Sequence, residues 1–193
     1  MTTWEKLVSV AGAGSSTTLS SGTITAKKHL KYTLYVTAFV NGRMTFNSDT
    51  GSNYTRRYSG NGGTDGTGNI NQAYIESLWD LAPALIVGNI INIATSEKLI
   101  TLHTSEANNT TGAGTAPNRM EIVAKWANTS NQITQIDFNK TGTNFGTGEV
   151  LTIWGSDDPV ETSFNVPNGT IFEESDTGKH YMFDGTDTWN EMT

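Results

Sequence analysis

The chain has 193 residues, a formal net charge of −7 and no cysteine. That length allows one sizeable core, or one core with a small appendage. Without cysteine there is no disulfide framework, no thiol catalysis and no cysteine-ligated zinc. Only 16% of residues are charged and only 4 are proline, which excludes the compositional profile of a disordered chain.

Threonine, glycine, asparagine and serine fill much of the remainder, so the composition predicts an all-β chain rich in turns. The segment Met1–Lys6 lacks the basic region and apolar run of a secretory leader. The longest apolar stretch, Ala82–Ala94, is interrupted by Pro83, Gly88, Asn89 and Asn92 and is too short to cross a bilayer. The expectation is synthesis in a cytoplasm with no membrane partner.

Along the chain, Lys28–Val40 alternates Leu30, Tyr32, Leu34 and Val36 against Lys31, Thr33 and Thr37, the pattern of a half-buried strand. Ser59–Asn71 is glycine-rich and reads as a long loop. Ala73–Leu81 is open to a short helix or a strand. The β-branched run Ala84–Ile93 reads as a central strand with a bulge at Gly88-Asn89. Glu97–Ser105, Met120–Trp126, Ile133–Phe138 and Val150–Trp154 are further strands, with a second long loop at Glu106–Asn118. Roughly eight short strands with no intervening helices predict an antiparallel β-sandwich of the jelly-roll type. Alternating helices, which a Rossmann fold or TIM barrel requires, are missing.

Charge and composition change after Ser156. Residues 149–193 hold ten acids and one base, Lys179, whereas the first 148 residues hold nine acids and eleven bases. The predicted division is therefore 1–156 as the sandwich and 157–193 as an acidic β-hairpin module. Its strands are Thr170–Glu173 and Lys179–Phe183, with turns at Asp176-Thr177-Gly178 and Asp184-Gly185. An acidic end and only small basic spots, at Arg56-Arg57 and Lys27-Lys28-His29-Lys31, argue against a nucleic-acid partner.

Little in the chain advertises chemistry. His29, His103 and His180 fall on three separate predicted strands, without metal-ligand spacing. Gly60-Asn61-Gly62-Gly63 lacks the lysine and following helix of a phosphate loop. A glycosidase would need two facing carboxylates, and nothing selects a pair among Glu76, Asp80, Glu97, Glu106 and Glu121. The sharpest local pattern is Phe46–Tyr54, where Asn47, Asp49 and Asn53 alternate around Gly51. These hard oxygen donors are candidate ligands of a structural Ca²⁺, although the bidentate acid of a full calcium loop is missing and Asx residues also make plain turns. No other cofactor is expected, and the protein is read as a non-enzyme.

The stretch Gly169–Trp189, with Phe172, Glu174, Asp176-Thr177, Lys179, Tyr181, Asp184-Gly185 and Trp189, resembles a terminal module of tail and fibre proteins of tailed viruses, that is, bacteriophages. The run from Phe46-Asn47 through Arg57, with Lys125–Asn128, Gln132–Ile136 and Phe145–Gly155, is similar to jelly-roll virion proteins, often marine. The resemblance implies a virion location and a structural role in capsid decoration or in the tail or fibre, and makes Asp49 and Arg56 structural pins of their loop. The implied partners are further copies of the chain, with a homotrimer favoured by analogy with other jelly rolls, and other virion proteins. The alternative is a receptor- or carbohydrate-binding module of a viral tail that contacts a host-surface glycan or receptor through Ser59–Asn71 and Glu106–Asn118. Trp4, Trp126, Trp154 and Trp189 are read as sandwich or interface anchors.

Overall fold

The computed structural model describes residues 3–76, 83–107, 112–157, 168–174, 176–185 and 188–192. The chain divides into two compact units, Thr3–Asp158 and Pro159–Thr193 with the first two residues. Among the described residues every regular element is a β-strand.

The larger unit is an antiparallel sandwich. One sheet contains β1 (Glu5–Ala11), β3 (His29–Val36), β5 (Tyr54–Gly60), β6 (Gly66–Gln72), β8 (Ala84–Ile91), β9 (Lys98–Glu106), β10 (Asn118–Trp126) and β12 (Val150–Ser156). The other contains β2 (Thr18–Ser20), β4 (Arg43–Phe46), β7 (Ile75–Glu76) and β11 (Ile136–Asn139). The large sheet runs β1-β12-β3-β8-β9-β10-β5-β6 and the small one β2-β11-β4-β7. With the hairpins β5–β6 and β9–β10 set aside, the remaining strands pair first-eighth-third-sixth and second-seventh-fourth-fifth in chain order, which is jelly-roll order. The two hairpins are insertions that widen one sheet of the roll to eight strands.

The alternation in β3 buries Leu30, Tyr32, Leu34 and Val36 in one apolar core with Phe138, Phe46 and Met44 of the small sheet. Tyr32 and Phe138 meet with ring centroids 5.4 Å apart. At the other end, Phe46, Tyr54 and Trp126 cluster, with Tyr54 stacked on Trp126 at 6.3 Å. This interdigitation of aromatic and branched side chains is the apolar burial that stabilises the sandwich.

Two sequence expectations need correction, and one left open is decided in part. There is no bulge at Gly88: β3 and β8 stay in register through Tyr32↔Gly88 and Lys31↔Asn89. The glycine is needed because a Cβ there would lie 2.2–2.5 Å from the Tyr32 ring. Ser59–Asn71 is mostly strand, because Asn61 (φ 51°) and Gly62 (φ 76°) form a tight turn closed by the Gly63 N–H on the Gly60 carbonyl at 2.8 Å. Ala73–Leu81 contributes the short strand Ile75–Glu76, and residues 77–82 lie outside the described residues.

The smaller unit holds the expected hairpin, β13 (Ile171–Glu174) with β14 (Lys179–Phe183), and extends it to a three-stranded meander with β15 (Trp189–Met192). The third strand follows a turn in which the Asp184 and Thr188 backbones bond at 3.0 Å and the Asp184 carboxylate caps the Thr188 N–H at 3.2 Å. Gly169, Gly178 and Gly185 all hold positive φ at its turns.

Candidate functional site

The candidate calcium loop folds as a hydrogen-bonded pin. Asn47 (φ 51°) and Ser48 (φ 55°) take left-handed conformations, which lets the Asp49 N–H reach the Phe46 carbonyl at 2.8 Å. Asp49 Oδ1 accepts from the Gly51 N–H at 2.8 Å, and Oδ2 accepts from Asn53 Nδ2 at 2.9 Å and Trp126 Nε1 at 2.7 Å. Burial pushes the Asp49 carboxyl upward, but the donors from Trp126, Asn53 and Gly51 together hold it below its ordinary value. Asn47 is turned to a different segment. Its Oδ1 accepts from the Thr134 and Gln135 N–H groups at 2.8 and 3.0 Å, and its Nδ2 donates to the Gln132 carbonyl at 2.8 Å. Asp49 and Asn53 are thus brought together, with the amide N–H side of Asn53 facing the acid, while Asn47 belongs to a separate set of bonds.

Arg56 is buried, ion-paired to Glu76 at 2.6 Å and placed over the Tyr58 ring at 4.8 Å. The remaining described candidates, Glu97, Glu106 and Glu121, each have different surroundings. Glu97 binds Lys125 at 2.8 Å, Glu121 lies 3.3 Å from Arg119, and Glu106 is buried at the end of β9. Asp80 lies outside the described residues. His103 pairs in register with Glu121, His29 lies two strands away on β3, and His180 belongs to the other unit. Among the described residues no three His, Asp or Glu side chains gather at metal-binding distance, and no helix is long and apolar enough to cross a membrane.

Two buried cations have no sequence signature. Lys140 and Glu149 pair at 2.7 Å with both side chains only 1% exposed. Glu149 also accepts from the Thr37 N–H at 2.7 Å, the Thr37 hydroxyl at 3.0 Å, the Ala38 N–H at 3.2 Å and the Gly146 N–H at 2.7 Å. Lys140 donates further to the Ala38 carbonyl at 2.9 Å. Lys98 donates to the carbonyls of Ala94, Ser96 and Asn128 at 3.2, 2.6 and 2.8 Å. Every donor and acceptor in these clusters is spent on holding loops together, which is structural work.

Surfaces remain as the places where the protein can meet something else. On the outer face of the large sheet, Tyr35, Leu85, Ile91, Leu99 and Val123 are exposed. Register places Tyr35 beside Leu85 and Ile91 beside Leu99, so two apolar pairs lie at opposite ends of β8, shared with β3 and β9. Two of the shallow depressions on the same face bear on binding. One is lined by Trp4, Lys31, Thr33, Val87 and Trp154, the other by Arg57, Ser59, Asp65, Thr101, His103, Glu121 and Val123 among others.

In the smaller unit, cross-strand register puts Phe172, Tyr181, Phe183 and Trp189 on one face, together with Glu174, Lys179 and Glu191. Trp189 makes an edge contact with Phe172 at 6.0 Å and a tilted one with Phe183 at 5.2 Å. Lys179 bonds Glu191 at 3.0 Å beside them. Ile171, Met182 and Met192 occupy the opposite face. None of the described residues of this unit is buried. The spaced residues of the C-terminal pattern therefore encode one aromatic face (Phe172, Tyr181, Trp189), its flanking charges (Glu174, Lys179) and the turns (Gly169, Asp176-Thr177, Asp184-Gly185).

No family model matches the chain, and neither a curated protein nor a solved structure matches it.

Proposed function

We propose that the chain is a non-enzymatic structural protein of a virion, a capsid decoration or a component of the tail or fibre, that acts by assembling with further copies of itself and with other virion proteins. The observation that carries the assembly is the C-terminal sheet. It is a single layer of three strands in which Phe172 is 53% exposed and Trp189 39% exposed, with no buried residue among those described. Three strands with one apolar face are about the smallest sheet that is stable by itself, and covering that face adds to its stability. Fully burying side chains of this size contributes about 1.5–3 kcal/mol each. Partner contact on that face is the simplest way to obtain this, and the exposed apolar pairs of the large sheet add a second adhesive surface. The virion location rests on the sequence resemblance.

A homotrimer is the favoured assembly, by analogy with other jelly rolls arranged about three-fold axes. The test of location is electron microscopy of purified particles labelled with an antibody raised against the jelly-roll unit. Regular labelling of capsid or tail supports the reading, and particles without the chain refute it.

A further inference from the structure

We propose that the depression between Trp4 and Trp154 binds a saccharide carrying an anionic substituent, a carboxylate or a sulfate ester. This site is independent of the assembly reading, because its lining residues all belong to the jelly-roll unit and none to the aromatic C-terminal sheet. It is also distinct from the long loops that the sequence offered as a recognition surface.

The depression is built by strand order. β12 lies between β1 and β3, so Trp154 has Lys6 as its register partner on one side and Lys31 on the other. Thr33 and Val87 are register partners that lie beneath the opening, and Trp4 precedes β1 at its margin, 44% exposed. Two indoles thus bound a space lined by a hydroxyl, a methyl-bearing side chain and an ammonium group.

Charge selects the ligand class. Among the described residues neither Lys31 nor Lys6 takes part in an ion pair. The lining holds no carboxylate. The acids nearest in sequence to the two tryptophans, Glu5 and Asp157, are both bound by Lys27, at 2.7 and 3.0 Å. The neighbouring depression is different: Arg57 shares it with Asp65 and Glu121, so its charges compensate internally. An uncompensated ammonium in a chain of net charge −7 is a local preference for an anion.

The rest of the lining suits a sugar. Indole faces accept the C–H face of a pyranose through dispersion and apolar burial. The Lys31 ammonium supplies charge-assisted hydrogen bonds to a carboxylate or sulfate. The Thr33 hydroxyl can donate to or accept from a ring hydroxyl. Two lysines do not make the cationic track that a nucleic acid backbone requires.

The test is a titration of the full chain, followed through its tryptophan indole N–H signals by NMR. The probes are an oligomannuronate for carboxylates, a heparin-derived oligosaccharide for sulfates, cellotetraose as the neutral control and an oligothymidylate as the nucleic-acid control. The expected result is a shift of the Trp4 and Trp154 signals with at least one acidic sugar, while Trp126 and Trp189 stay fixed. Response to the mannuronate alone assigns a carboxylate, and to the heparin fragment alone a sulfate. Trp154→Ala and Trp4→Ala should each weaken binding about tenfold. Trp4→Ala serves as the fold-safe variant, since that side chain lies outside the core. Lys31→Met should abolish the preference for acidic over neutral sugar. The proposal is overturned if millimolar acidic sugars move neither signal, if both tryptophan variants bind like the parent, or if the oligothymidylate binds the same residues as tightly.

Discussion

Replacing Lys140 with methionine removes one half of the buried ion pair and leaves the Glu149 carboxylate where it is. The side chain keeps the linear shape of lysine, so the change is mainly electrostatic. Breaking a buried pair costs about 3–5 kcal/mol, because the remaining charge is uncompensated. Here the lower end applies: Glu149 retains three backbone N–H donors and the Thr37 hydroxyl. For a domain of this size a loss of about 3 kcal/mol lowers Tm by about 6–12 °C.

The pH dependence has a definite sign. Burial acts to raise the Glu149 carboxyl, but Lys140 and the backbone donors outweigh it and hold the group below its ordinary value of 4.5. A depressed carboxyl contributes stability that is present above the unfolded value and is lost as pH falls through the folded one. In the variant the carboxyl moves up, so the stability gap between parent and variant is widest near neutrality and narrows as pH falls through 4.5 and below, towards the depressed carboxyl of the parent. Circular dichroism melts of both proteins across that range provide the assay. A shift below about 2 °C at neutral pH, or a gap that widens in acid, refutes the electrostatic account of this cluster.

Other substitutions test other parts of the structure. Asp49→Ala strips the acceptor from Trp126 Nε1, a side chain only 1% exposed, and should cost about 1–3 kcal/mol in urea unfolding. Trp126→Phe in the same background should add less than it does alone, since the shared bond is already gone. Gly88→Ala places a methyl group against the Tyr32 ring and should cost about 1–3 kcal/mol by overpacking, whereas a bulge at that position would tolerate it. Millimolar calcium should leave Tm unchanged, because Asp49 would have to release Trp126 and Asn53 to bind the ion; a rise in Tm that Asp49→Ala abolishes would show that the loop does bind it. Truncation after Asp158 should leave the jelly roll folded, as judged by an unaltered cooperative melt, and failure to fold would show that the two units are not independent.

The core of the roll was legible because burial on one sheet face leaves a period-two trace. Leu30, Tyr32, Leu34 and Val36 carry it without interruption, and so do Met120, Ile122, Ala124 and Trp126. Glycine was harder, because the same residue serves opposite ends. Gly88 keeps a strand flat beneath a tyrosine ring, while Asn61-Gly62 reverses the chain inside a segment that reads as one long loop. Strand order cannot be read from periodicity, so the sequence does not reveal that two hairpins widen one sheet. The buried charges left no local trace either: Glu149 finds Thr37 112 positions away, and only the closed sheet brings them together. The Trp4–Trp154 depression has the same origin, since it exists because the first and last strands of the roll are neighbours. The sequence marks Asp49 as a candidate calcium ligand and, by resemblance, as a pin of its loop; in the fold its carboxylate accepts from Gly51, Asn53 and Trp126, the last an indole from β10 that no local pattern reveals.

If the chain acts by assembling with copies of itself, sedimentation velocity on the full chain across the micromolar range will show it. The expected species is a homo-oligomer, with three times the 20.8 kDa chain mass favoured, that dissociates when Phe172 and Trp189 are both replaced by serine. A species that stays at 20.8 kDa at every concentration, with a melt unaffected by those replacements, would contradict it.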